Sequence, residues 1–194
     1  MAVDLEANRD SILDHERRLS RMVAGEVVDK PILAMWMILI PIFFVFYYFQ
    51  LKRYRNGLKD FAGNFLVTRQ RTIDKIYEAE VSGGAVDIDS VVAISDIPSE
   101  AMENYRIWVE TLAEYYRSLI TRNGFDYDDL VKAAYPRKSG YLAALDTLNR
   151  VESEFNATLA PLLPGDADSI DAVVTAMQQS VEKNRRLLAT EIYA

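Results

Sequence analysis

The most apolar part of the chain is one uninterrupted run from Pro31 to Leu51. Its 21 residues, PILAMWMILIPIFFVFYYFQL, include no charged side chain. As a helix that rises about 1.5 Å per residue, the run is about 31 Å long and matches the hydrocarbon core of a bilayer. A core helix of a soluble bundle keeps a polar face, which this run lacks. The pattern therefore predicts a single transmembrane helix over residues 31–51.

The residues of the predicted span and of its C-terminal flank are typical of a membrane anchor. Aromatic side chains crowd the second half of the span, and Pro41 is expected to kink it. More cations follow the span directly than precede it, which predicts a cytoplasmic C-terminal domain. The predicted anchor residues are Trp36, Pro41, Phe43, Phe44, Phe46, Tyr47 and Tyr48, and the predicted contacts to lipid headgroups are Lys52, Arg53, Arg55 and Lys59.

The segment before the anchor, residues 1–30, predicts an amphipathic helix. Ile12, His15, Leu19 and Met22 recur at three- to four-residue spacing, in a thin apolar stripe between charged faces. His15 is the only histidine, and we interpret it as a packing residue, with a pH-sensitive contact as the alternative. Such a helix is expected to lie along the membrane or to dock on another protein.

The segment after the anchor, residues 52–84, predicts a basic juxtamembrane helix that ends in a hinge. Residues 52–81 carry a net charge of +3, which favours contact with anionic lipid. From Arg69 onward an ordinary solvated helix surface explains the cations equally well. Ser82-Gly83-Gly84 is the stop signal, because paired glycines permit left-handed turns and weaken a helix.

The remaining segment, residues 85–194, predicts an acidic helical bundle with a net charge of −8. Residues 85–98 predict a loop or a short helix. Beyond Pro98 the helical periodicity is clear, with a stop at Asn123-Gly124, a short helix over about 126–135, and long helices from Ser139 and after Gly165. The predicted fold class is all-α: a single transmembrane helix, a membrane-proximal stalk and a small C-terminal bundle.

The chemistry available to this chain is limited. Cysteine is absent, which excludes disulfides, thiolate metal sites and cysteine nucleophiles. Asp126, Asp128 and Asp129 resemble a calcium loop, but Val131 occupies the position that requires glycine, so we interpret them as the start of a helix. The acidic bulk of the chain disfavours nucleic-acid binding, and no cofactor or metal is predicted.

These observations predict a non-catalytic, single-pass accessory or scaffold subunit that positions other subunits of a membrane complex. The alternative is a membrane-anchored sensor whose helical domain responds to a ligand, and a third hypothesis is an enzyme that uses carboxylates and tyrosines. The partners and the oligomeric state stay open. Tyrosine is abundant and common at protein interfaces, and the candidate interface residues are Ile12, His15, Leu19, Met22, Tyr115 and Tyr116.

Overall fold

The computed structural model describes residues 3–28, 54–95, 97–164 and 166–194, and these ranges contain helices and connecting turns without strands. This confirms the predicted all-α class. The described residues form seven α-helices: α1 (Leu5–Val28), α2 (Tyr54–Ser82), α3 (Ile88–Ala93), α4 (Met102–Ile120), α5 (Tyr127–Ala134), α6 (Lys138–Leu159) and α7 (Ala167–Ile192).

Local signals in the sequence explain where several helices begin and end. Gly83 adopts a φ of 69°, and the Gly84 amide donates to the Ala79 carbonyl at 3.0 Å, which is the hydrogen bond of a Schellman cap. The Asp126 carboxylate accepts from the Asp129 amide at 3.0 Å and caps α5. The predicted stop after Ser82 and the predicted short helix near 126–135 are therefore confirmed.

The bundle is larger than the sequence predicts, because α1 and α2 belong to its core. Ile12 and Leu19 of α1 and Ile73 and Ile76 of α2 are buried in the same cluster as the apolar residues of α4, α6 and α7. The apolar stripes of α1 and α2 face each other, so neither helix needs the membrane to cover it. The sequence-based division into an N-terminal helix, a membrane-proximal stalk and a C-terminal bundle did not include this shared core.

Helices α1 and α2 run antiparallel. Arg9, near the start of α1, donates to Asp74, in the second half of α2, at 2.7 Å. About two turns further along α1, Glu16 lies 3.3 Å from Arg69, which precedes Asp74 in α2. Val28 and Tyr54 consequently lie at the same end of the bundle, which we call the proximal end. At the opposite, distal end the Asn8 amide donates to the carbonyls of Ile120 and Arg122.

The predicted transmembrane helix, residues 31–51, lies outside the described residues, together with its seven predicted anchor residues and with Lys52 and Arg53. Within the described ranges no helix combines the length and the apolar character that a bilayer crossing requires. The single transmembrane helix of the predicted fold is therefore without support among these residues.

Candidate functional site

Four charged side chains form a continuous chain across the centre of the bundle, which we call the ionic chain: Glu16, Arg69, Glu152 and Arg185. Each belongs to a different helix, and all four are buried. Glu16 Oε2 lies 3.3 Å from Arg69 Nε, Arg69 Nη2 donates to Glu152 Oε1 at 2.5 Å, and Arg185 Nη1 lies 3.0 Å from Glu152 Oε2. The charges alternate and cancel, which is how buried ions are tolerated.

Arg69 lies between Glu16 and Glu152 in the ionic chain, and only 1% of its surface is exposed. Its guanidinium carbon lies 3.8 Å from the centroid of the Phe65 ring and 5.3 Å from that of Trp108. Its Nη1 donates to the Phe65 carbonyl at 3.1 Å. Aromatic faces attract a desolvated cation, so the rings and the two carboxylates together hold the guanidinium in one place.

The two carboxylates of the ionic chain have opposite pKa shifts. Burial raises the pKa of Glu16 and outweighs its attraction to Arg69 and Arg185. Burial acts in the same direction on Glu152, but the two arginines that flank it outweigh burial and lower its pKa. Glu152 is therefore held as the anion between two cations, whereas Glu16 at the end of the chain is the member whose charge is least well compensated.

A second polar group, the tyrosine cluster, lies beside the ionic chain and consists of Tyr115, Tyr127, Tyr141 and His15. The hydroxyls of Tyr115 and Tyr127 are 2.5 Å apart, and both lie within 3.2 Å of the Tyr141 hydroxyl. The His15 ring stacks on Tyr127, with the centroids 3.6 Å apart. Burial raises the pKa of all three tyrosines. It also lowers the pKa of His15 to about 3, aided by the cations Arg18 and Arg185.

The six candidate interface residues lie in or against the core instead of on an exposed surface. Ile12, Leu19, Tyr115 and Tyr116 are buried. His15 is partly buried against Tyr127, and Met22 packs against the core as a partly buried side chain. The physical reason is that the apolar stripe of α1 is covered by its neighbouring helices.

The predicted headgroup contacts receive no test from the described side chains. Arg55 and Lys59 lie within α2, but their side chains are outside the described part of the structure. Arg69, which the sequence assigned to a lipid-facing or solvated surface, is instead a core residue.

The sequence analysis did not identify the ionic chain, although each of its members lies within the apolar stripe of its helix. Arg69 lies four residues after Phe65 and four before Ile73, and Arg185 lies four after Val181 and three before Leu188. Glu16 and Glu152 have the same setting on α1 and α6. The signal that could have identified these four residues is a charged side chain at a core position of a helix. The sequence does not reveal that the four positions meet.

The most exposed large apolar side chain among the described residues is Phe125, at the distal end. It is 95% exposed, and its amide donates to the Asp129 carboxylate at 3.1 Å. A Cβ atom added to the preceding Gly124 would lie 2.9 Å from Asp129 Cβ and 3.0 Å from the Leu130 backbone nitrogen. The loop therefore depends on glycine for its close packing and presents Phe125 to solvent from a fixed backbone.

Glu110 and Glu114, one turn apart on α4, are both exposed. No group of three or more histidine or acidic residues within the described ranges is arranged to hold a metal ion.

Comparison of the chain with protein-family models, with curated proteins and with solved structures finds no match.

Proposed function

We propose that this protein is a membrane-attached helical scaffold, in which residues 31–51 hold the bundle at a bilayer and the distal end binds a partner protein. The observation that carries this proposal is the antiparallel pairing of α1 and α2, which brings both flanks of the apolar run to the proximal end. An uncharged run of 21 residues between two such helices favours lipid over water as its surroundings.

The pairing of α1 and α2 also bears on topology. A single crossing would place Val28 and Tyr54 on opposite sides of a hydrocarbon layer about 30 Å thick. The two helices would then have to separate, which would expose the apolar residues between them and leave Arg69 without Glu16. We therefore propose that the run enters and leaves the bilayer from one side, in place of the single pass that the sequence alone predicts.

Two features of the sequence agree with this arrangement. Pro41 lies at the centre of the run, with ten residues on either side, and proline favours a bend in a helix. Lys30 and Lys52 flank the two ends, so the positive-inside rule places both flanks, and the bundle with them, on the cytoplasmic side.

The partner surface is proposed at the distal end, around Phe125. Helix α1 has 24 residues and spans about 36 Å, so the distal end is separated from the proximal end by the length of the bundle. A rigidly presented aromatic side chain is the kind of residue that anchors a protein interface. In this arrangement the bundle positions its partner at a set height above the bilayer.

The absence of native cysteine allows a direct test of topology. Single cysteines would be introduced at the exposed positions Glu6 on α1 and Glu114 on α4 and labelled in sealed vesicles with a membrane-impermeant maleimide. We expect both positions to react from the same side. Labelling of the two variants from opposite sides would contradict the proposed topology and restore the single pass.

Attachment and partner binding need separate experiments. We expect that replacing residues 31–51 with a short Gly/Ser linker releases a folded bundle from the membrane, because the linker joins two adjacent helix ends.

We expect Phe125→Ala to abolish co-purification of partners after mild detergent extraction, with Ile94→Ala as the control at another exposed apolar residue. Isolation of the unaltered protein without any partner would count against the scaffold.

One observation favours the alternative of a ligand-responsive protein. A cleft between α6 and α7 is lined by Asn156, whose side-chain amide has no hydrogen-bond partner among the described residues.

A further inference from the structure

The cleft between α6 and α7 has a volume of about 210 Å³. Its lining is mostly polar and includes Glu152, which lies between Arg69 and Arg185 in the ionic chain. The lining residues on which the argument depends are Asn149, Glu152 and Asn156 of α6, and Met177, Gln178 and Val181 of α7.

The side-chain amide of Asn156 is the unusual feature of this cleft. Asn156 is 1% exposed, and within the described part of the chain neither its Nδ2 nor its Oδ1 has a hydrogen-bond partner. Asn149 Nδ2 is also unpaired, although Asn149 Oδ1 accepts from Arg185. Buried polar groups are nearly always paired, so a molecule that supplies one acceptor and one donor would complete the site.

The charges around the cleft define the kind of molecule it would take. No lysine or arginine lines it, so nothing there compensates a buried anion. Glu152 is already paired with Arg69 and Arg185, and Glu182 is paired with Arg186 at 3.1 Å, so a cation finds no free carboxylate. The electrostatics therefore favour an uncharged ligand.

The size and the apolar wall narrow the class further. The volume is below the roughly 300–1,000 Å³ of pockets for drug-sized molecules, and Met177 and Val181 are buried apolar side chains beside it. We propose that this cleft binds a compact, uncharged primary carboxamide, whose amide group pairs with both atoms of the Asn156 side chain while its apolar body rests on the α7 wall. This site is independent of membrane attachment.

Benzamide is a suitable probe, and benzoate is its matched control of the same shape with a negative charge. With the full chain in a mild non-ionic detergent, titration would be followed by the nitrogen–proton NMR signals of the Asn156 and Asn149 side-chain amides. We expect saturable shifts of both signals with benzamide, and at least tenfold weaker binding of benzoate. Signals that stay unchanged at 20 mM benzamide, as for a cleft filled only by water, would overturn the proposal.

Two variants separate binding from folding. We expect Asn156→Leu to weaken benzamide binding at least tenfold, since leucine has the same branching as asparagine but neither of its polar atoms. Ser153→Phe would occlude the cleft without changing Asn156, and we expect the same loss, whereas Asn123→Leu, at an exposed distal position, should leave affinity unchanged. Unaltered binding by either cleft variant would refute the assignment.

Discussion

The ionic chain and the tyrosine cluster both keep buried polar groups paired, but they do so with different chemical groups. Both place polar atoms in the centre of the bundle, and both tie α1 to helices distant in sequence. The ionic chain does so with alternating full charges, each of which needs its neighbour. The tyrosine cluster does so with three mutually bonded hydroxyls and a neutral histidine ring.

This difference predicts how each group responds to the loss of one member. Removing a charge leaves the opposite charge buried and unpaired, which costs several kcal/mol. Removing a hydroxyl leaves two others that still bond to each other, and a neutral hydrogen bond contributes only about 1 kcal/mol. The ionic chain should therefore specify the arrangement of the helices, whereas the tyrosine cluster should tolerate substitution.

The largest expected effect is that of Arg69→Met. The variant leaves Glu16 and Glu152 facing each other in the core, so we expect the free energy of unfolding to fall by about 3–5 kcal/mol. Denaturant unfolding of the detergent-solubilised protein, followed by circular dichroism, measures the loss. Arg71→Met, at an exposed position on the same helix, is the matched control, and equal losses in the two variants would remove the distinction.

A smaller difference is expected between the two carboxylates of the ionic chain. Glu152 is stabilised as an anion by two arginines, whereas burial favours the neutral form of Glu16. Neutral glutamine should therefore replace Glu16 more easily, and we expect Glu152→Gln to cost about 1.5–3 kcal/mol more than Glu16→Gln. The same unfolding measurement at pH 7 tests this, and the reverse order would contradict the assigned pKa directions.

The tyrosine cluster can be perturbed through His15 by lowering the pH. Its pKa is lowered from 6.5 to about 3 in the folded protein, so between these values the unfolded chain binds more protons. Stability must then fall as the pH falls through this window, by up to about 2 kcal/mol between pH 7 and pH 5. His15→Phe keeps a ring against Tyr127 but cannot titrate. If the stability of both proteins changes equally with pH, His15 does not contribute to the pH dependence of stability.

The smallest expected effect is that of Tyr127→Phe. The substitution keeps the ring that stacks on His15 and leaves the Tyr115 and Tyr141 hydroxyls 3.2 Å apart, so we expect a loss of about 1 kcal/mol. The control is Tyr77→Phe, which removes a hydroxyl from a partly buried ring beside Arg9. Comparing the thermal unfolding of the two variants measures the specific contribution of the Tyr127 hydroxyl. A loss as large as that of Arg69→Met would show that the two groups do not differ in kind.

The sequence predicted the helices well because their signals are local. A glycine pair after Ser82 and the Asp126 cap act through neighbouring backbone atoms, and apolar spacing reports a helix without reference to its partners. The same reasoning failed for the role of α1. Its stripe fits a membrane surface, a partner protein or α2 equally well, and only the tertiary packing distinguishes these.

By itself the sequence determined the all-α class, the positions of the helix ends and the existence of a 21-residue run without charge, since these depend on residues close together in the chain. The tertiary structure alone decided that Arg69 meets Glu16 and Glu152, that Ile12 and Tyr115 are core residues, and that Val28 and Tyr54 share one end of the bundle. The physical reason is that burial and charge pairing depend on which helix faces which, and that choice is made by the whole core at once.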